Sequence, residues 1–143
     1  KYKVYKSELG DFQPENYRPK VHDHLWRANL LEHSADPLII VEGYKAALWL
    51  VQCGLPSTVA IMGSKMSDAQ ASLASQISDE VLLMLDMDEA GRKGQHLSAI
   101  KLYRLGVNVK CVQYAKEVRQ PDDLTREEVH SSLLNLTNWR SST

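Results

Sequence analysis

Four short, largely apolar segments decide what this chain can fold into: Leu38-Ile39-Ile40-Val41, which is continuously apolar and rich in β-branched residues, then Thr58–Met62, Val81–Leu85 and Val107–Val112. The first has the pattern of a strand covered on both faces. Helical spacing follows it, with Tyr44, Ala47, Leu48 and Val51 on one stripe, closed by Gly54 and Pro56. The unit then repeats. Ser67 is placed to cap a helix bearing Ala69, Leu73 and Ile77, and a further helix carries Ala90, Leu97, Ile100 and Leu105 before Gly106. Strands alternating with helices through short connections predict right-handed βαβ units. The expected fold class is therefore α/β: a mostly parallel, four-stranded, Rossmann-like sheet flanked by helices.

The flanks are read with less pattern to guide them. Residues 1–22 are polar and aromatic, with Pro14 and Pro19, and form an N-terminal arm that admits a short strand near Lys3–Tyr5. A helix over 23–33 is expected to carry Trp26 and Leu30 on one side, and Ser34–Pro37 to break it. Thr125 with Glu128 makes a capping box for a last helix bearing Val129, Leu133 and Leu136, with a frayed tail from Asn138. The expected organisation is thus 1–36 as arm and leading helix, 37–124 as core, and 125–143 as closing helix and tail.

Charge and cysteine content exclude several classes. With 17 basic residues against 18 acidic ones the chain is not a polybasic nucleic-acid binder, although a local basic groove is compatible with that balance. No apolar run approaches the ~18 residues that span a bilayer, so no membrane role is expected. Cys53 and Cys111 lack CxxC spacing and lie in apolar segments; as reduced core residues they favour a cytoplasmic setting. The chain opens at Lys1 without a signal-peptide pattern and reads as a piece of a longer protein.

In a parallel sheet, ligands gather at the carboxyl ends of the strands. Those ends carry Glu42, the Gly63-Ser64 turn, and Asp86 with Asp88. Singly, each acid has an ordinary reading: Asp88 as a helix N-cap, Asp86 as a turn residue, Glu42 as a polar strand end. Together on one rim they repel one another unless a cation intervenes. A hard divalent ion such as Mg²⁺, held by one or two carboxylates with waters and substrate phosphates, is the economical solution.

The same residues resemble a known family. Val41-Glu42-Gly43, followed by Leu85-Asp86-Met87-Asp88-Glu89-Ala90-Gly91-Arg92, is similar to the Toprim domain of DnaG-type bacterial primases. Ala60–Ser64 resembles the intervening strand and turn of those enzymes, and Gln120–Leu124 their later acidic segment, so the likeness covers about residues 37 to 124. Ala90 stands where topoisomerases of the family carry a further acid, which favours the primase branch. The resemblance implies a Toprim fold and Mg²⁺-dependent nucleotidyl transfer (Mn²⁺ substituting) that makes short RNA primers. It implies Glu42 as general acid or base, or metal ligand. Asp86 and Asp88 become Mg²⁺ ligands, joined by Asp122. The implied partners are single-stranded DNA, ribonucleoside triphosphates and a replicative helicase reached through regions absent here. Ala46 and Gln120 replace acids of the family pattern, so a second metal site is expected to be weakened, as in a divergent phage or mobile-element primase. The rival readings are a Toprim nuclease, or other phosphodiester-cleaving enzyme, and a non-catalytic nucleic-acid-binding module.

Cations on the same rim are candidates for holding phosphate: Lys45, Lys65, Arg92 and Lys93, with the Gly63-Ser64 turn. The bland alternative for each is a solvated helix face. Lys3, Lys6 and Lys20 faintly resemble basic positions that line the template groove in primases. His22 and His24 lack further ligands nearby and read as surface residues. Trp26, Trp49 and Trp139 could stack on bases, but Trp26 and Trp49 fall on helices expected to pack on the sheet, so core or subunit contact is the favoured reading. Gly91-Arg92-Lys93-Gly94 lacks P-loop spacing and the hydroxyl after lysine, which rejects an NTPase.

Overall fold

A computed structural model describes residues 21–140; the expected strand near Lys3–Tyr5, and Lys3, Lys6 and Lys20, lie outside the described residues. The apolar runs form the sheet. Strands β1 (Leu38–Val41), β2 (Thr58–Ala60), β3 (Glu80–Leu83) and β4 (Asn108–Val112) are joined by helices α1 (Tyr44–Gln52), α2 (Asp68–Ile77) and α3 (Glu89–Arg104). β1 pairs in parallel with β2 and with β3, and β3 with β4, in registers such as Ile40↔Val59, Ile39↔Leu82 and Leu82↔Lys110. The period of two along β1 divides the core. Leu38 and Ile40 pack with Val59, Leu83, Ala99 and Leu102 on one face. Ile39 and Val41 pack with Ala47, Leu50, Met84 and Val129 on the other.

The sheet has five strands rather than four. After α4 (Arg126–Leu133), residues Leu136–Asn138 form β5, antiparallel to β4, so the order is β2-β1-β3-β4-β5. Leu136 therefore leaves the helix it was expected to extend, and Asn138 pairs with Lys110 instead of fraying. Nothing in Leu-Thr-Asn marks a strand; the open edge of β4 supplies the unpaired groups that recruit it. The opposite edge is closed differently. The expected helix over 23–33 is two 3₁₀ turns, Val21–Asp23 and Ala28–Leu30. Between them Trp26 exchanges backbone hydrogen bonds with Ala60 of β2, at 2.9 and 3.3 Å. Arg27, at φ 72°, turns the chain there and donates to the carbonyls of Pro56 (3.0 Å) and Thr58 (2.8 Å).

The helices are rotated from the faces expected of them. α1 buries Ala46, Ala47 and Leu50, whereas Tyr44 and Leu48 are each 46% exposed. α2 buries Gln70, Ala71 and Ala74 and exposes Ala69, with Leu73 and Ile77 partly buried. α3 buries Gly91, Gly94, Ser98, Ala99 and Leu102, leaving Ala90 exposed and Leu105 51% exposed. In each case small residues set how near the helix lies to the sheet. A stripe chosen by hydrophobicity alone passes over them. Cys53 and Cys111 are buried free thiols, and none of the described helices is long and apolar enough to cross a membrane.

Candidate active site

Glu42 and Asp86 follow adjacent parallel strands, β1 and β3, and meet at the carboxyl edge of the sheet. The Asp86 amide donates to Glu42 Oε1 at 3.3 Å. Burial, and then the neighbouring Asp86 charge, push the Glu42 carboxyl up to about 7. Asp86 is raised as well, by burial first and by Asp88 and Asp122 next, with the Arg119 guanidinium opposing. Among the described residues no ion pair reaches either carboxylate.

Asp88 is placed differently. It is the N-cap of α3, accepting the Gly91 N–H at 2.8 Å, and its other oxygen lies 3.4 Å from Arg119 Nη2. The ordinary cap reading of Asp88 thus describes its contacts here. Asp122 sits on the 3₁₀ turn Pro121–Asp123 and lines the same cleft as Glu42 and Asp86. That turn is tied to α1 by the Trp49 indole, which donates to the Leu124 carbonyl at 2.9 Å. Trp49 is thereby used in packing, as is Trp139, whose ring meets Tyr103 at 5.4 Å and His96 at 6.0 Å. Trp26 sits on the β2-edge bridge and not on a helix, with its ring 6.2 Å from Tyr44.

Two glycines let α3 start this close to the acids. A Cβ on Gly91 would stand 2.0 Å from the Asp86 carbonyl oxygen and 2.8 Å from Glu42 Oε1. On Gly94 it would stand 1.6 Å from the Ser64 carbonyl oxygen. The Gly-Arg-Lys-Gly segment therefore seats a helix against three strand ends and forms no loop. Ser98, one turn on, accepts the Met66 N–H at 3.0 Å and holds the other side of the Ser64 turn. That turn begins at Met62, expected as a strand end, which adopts φ 58° and donates to the Glu42 carbonyl at 2.7 Å. A left-handed, non-glycine residue at a cleft wall stores roughly 1–3 kcal/mol of strain.

The cleft in front of Glu42 and Asp86 measures about 530 Å³ and is also lined by Lys45, Ala46, Gly63, Ser64, Gln120 and Asp122. A second cleft of about 550 Å³ adjoins Asp88 and holds Arg92, Lys116 and Arg119. Arg92 is fixed there by donating to the Met87 carbonyl. Lys65 and Lys93 are exposed and line neither cleft. His22 and His24 are exposed.

Three contributors carry no sequence motif, or one not followed far enough. Tyr114, from the segment after β4, donates its hydroxyl to the Leu85 carbonyl at 2.6 Å. Burial and the nearby Asp86 and Glu42 charges raise its pKa, so it stays a donor. Arg119 reaches Asp88 from the loop beyond. Gln70, fully buried, donates to the carbonyls of His24 (2.7 Å) and Ile61 (2.8 Å) and so binds the 3₁₀ segment to the end of β2. Its signal was present: Ser67 with Gln70 three residues on is a full capping box.

The donor set fits a hard divalent ion. It is all oxygen, and two carboxylates are held together without a cation. Among the described residues no three His, Cys, Asp or Glu side chains are grouped to cage a metal by themselves. Carboxylate oxygens are the ligand type of Mg²⁺ and Mn²⁺, and the set lacks the His and Cys ligands typical of a closed zinc site.

Comparison with known proteins bears on the same residues. Residues 39–125 match the family described as Toprim-like. The DNA primase of Aquifex aeolicus is 35% identical over 100 residues, which is 70% of this chain and 20% of that protein. That of Thermotoga maritima is 34% identical over 104 residues, 72% of this chain and 18% of the relative. The chain thus spans about a fifth of the curated relatives it matches. Among solved structures, the Aquifex aeolicus primase (zinc binding and RNA polymerase domains) superposes with a TM-score of 0.70 at 27% identity, covering 84% of this chain and 31% of that one. A DnaG catalytic core gives 0.71 at 19% identity over 82% of this chain and 41% of its own, a likeness of fold.

Proposed function

Since the chain belongs to the Toprim-like family, we propose that it is the nucleotidyl-transfer core of a DNA primase, making short RNA primers on single-stranded DNA from ribonucleoside triphosphates. Residues 37–124 are the catalytic core in this reading, with 1–36 leading into it and 125–143 closing it. A replicative helicase would be engaged through other parts of the protein, in the cytoplasm.

One observation carries the proposal: Glu42 and Asp86 converge from separate parallel strands with the Glu42 carboxyl pushed up to about 7. Two carboxylates kept at that cost are a site waiting for positive charge. Glu42 and Asp86 would hold Mg²⁺ or Mn²⁺, with Asp88 and Asp122 at its margin. When bound, such an ion lowers the pKa of an attacking 3′-hydroxyl and offsets charge at phosphorus and on the departing pyrophosphate. With its carboxyl pushed up to about 7, Glu42 exists in both protonation states near neutral pH, and in its ionised form could accept a proton from a hydroxyl. Lys45 and the Ser64 hydroxyl, which line the same cleft, would hold phosphate there, and Arg92 from beside Asp88. Lys65 and Lys93 serve backbone further out.

The test is primer synthesis by the full-length protein on single-stranded DNA with Mg²⁺ or Mn²⁺, beside a nuclease assay on the same template. Glu42→Gln should lower synthesis by ~100-fold or more. The isolated chain should prime weakly. Unchanged synthesis in that variant, or strand cleavage without synthesis by the wild type, would defeat the proposal.

A further inference from the structure

Asp88 differs from the other rim acids in already having a cation. We propose that Arg119 is a counter-cation latch on Asp88, competing with a divalent ion for that carboxylate. The inference rests on the reading of Glu42 and Asp86 as a divalent-ion site. Arg119 Nη2 lies 3.4 Å from Asp88 Oδ2, while Oδ1 accepts the Gly91 N–H at 2.8 Å, so both oxygens are engaged. The latch is held in place by backbone: the Met87 N–H donates to the Arg119 carbonyl at 2.7 Å, fastening the loop to the turn that carries Asp88. An ion at Glu42 and Asp86 recruits Asp88 in competition with the guanidinium. The side chain has somewhere to go, being 74% exposed beside the cleft of Arg92 and Lys116. Arg119 is accordingly a positioning residue, acting through Asp88.

An exposed pair of this kind is weak, so the latch modulates affinity and does not forbid binding. Mn²⁺ titration of the whole chain, followed by the electron paramagnetic resonance of free Mn²⁺, reads it without reference to activity. Arg119→Ala should tighten Mn²⁺ binding about threefold to fivefold, and Arg119→Lys should restore most of the wild-type value. The gain should shrink at high salt. Removing one positive charge strengthens cation binding through the general field too, so the decisive measurement is a double-mutant cycle. In an Asp88→Asn background Arg119→Ala should change Mn²⁺ affinity by less than twofold. An equal gain with and without Asp88 would overturn the latch while leaving the ion site standing. No Mn²⁺ bound by the wild type would overturn both.

Discussion

Glu42 and Asp88 lie on the same rim and differ in every respect that matters electrostatically. Glu42 is half-buried, faces another carboxylate and is pushed up to about 7. Asp88 is capped into a helix start and paired with a guanidinium. One acid is frustrated by the fold and the other is satisfied by it. Repulsion that one backbone N–H and a nearby guanidinium offset only in part is a pattern functional sites share, whereas a capped and paired acid also serves the fold.

The contrast breaks most completely at Gly91. Gly91→Ala puts a methyl group against the Asp86 carbonyl and Glu42 Oε1, forces α3 off the rim, and should cost about 3 kcal/mol in denaturant unfolding together with most activity. A gentler change sharpens it. A carboxyl raised on folding favours the protonated state, so its contribution is favourable at low pH and is lost as pH rises from the ordinary 4.5 through about 7. Glu42→Gln should therefore raise stability at pH 8 by about 1–2 kcal/mol, allowing for solvent screening at this half-exposed position, while lowering activity. The same variant should flatten the wild-type decline in stability between about pH 4.5 and 7, read from urea midpoints across that range. The smallest effect has the opposite sign. Asp88→Ala removes an N-cap and should cost about 1 kcal/mol. If both acids changed stability in the same direction, the distinction between them would fail.

Much of this site was legible before folding was considered. Three acids at the ends of apolar runs, and two glycines after the second aspartate, are visible in the residue order. The roles of the glycines were not, because a missing Cβ gives no signal until a carbonyl oxygen stands where it would be. Arg119 and Tyr114 were invisible for a related reason. Each lies in a segment without periodicity and acquires its role from what β3 and its following turn bring beside it.

The sequence by itself determined the four parallel strands and the edge on which the acids collect. Each follows from local apolar period and from the handedness of βαβ connections, which neighbours do not alter. The tertiary structure alone decided the rotation of the helices, the recruitment of Leu136–Asn138 to an open edge, and which carboxylate would find a cation. Those depend on close approach between segments distant in the chain, where sub-ångström fit and unpaired backbone groups outweigh local preference.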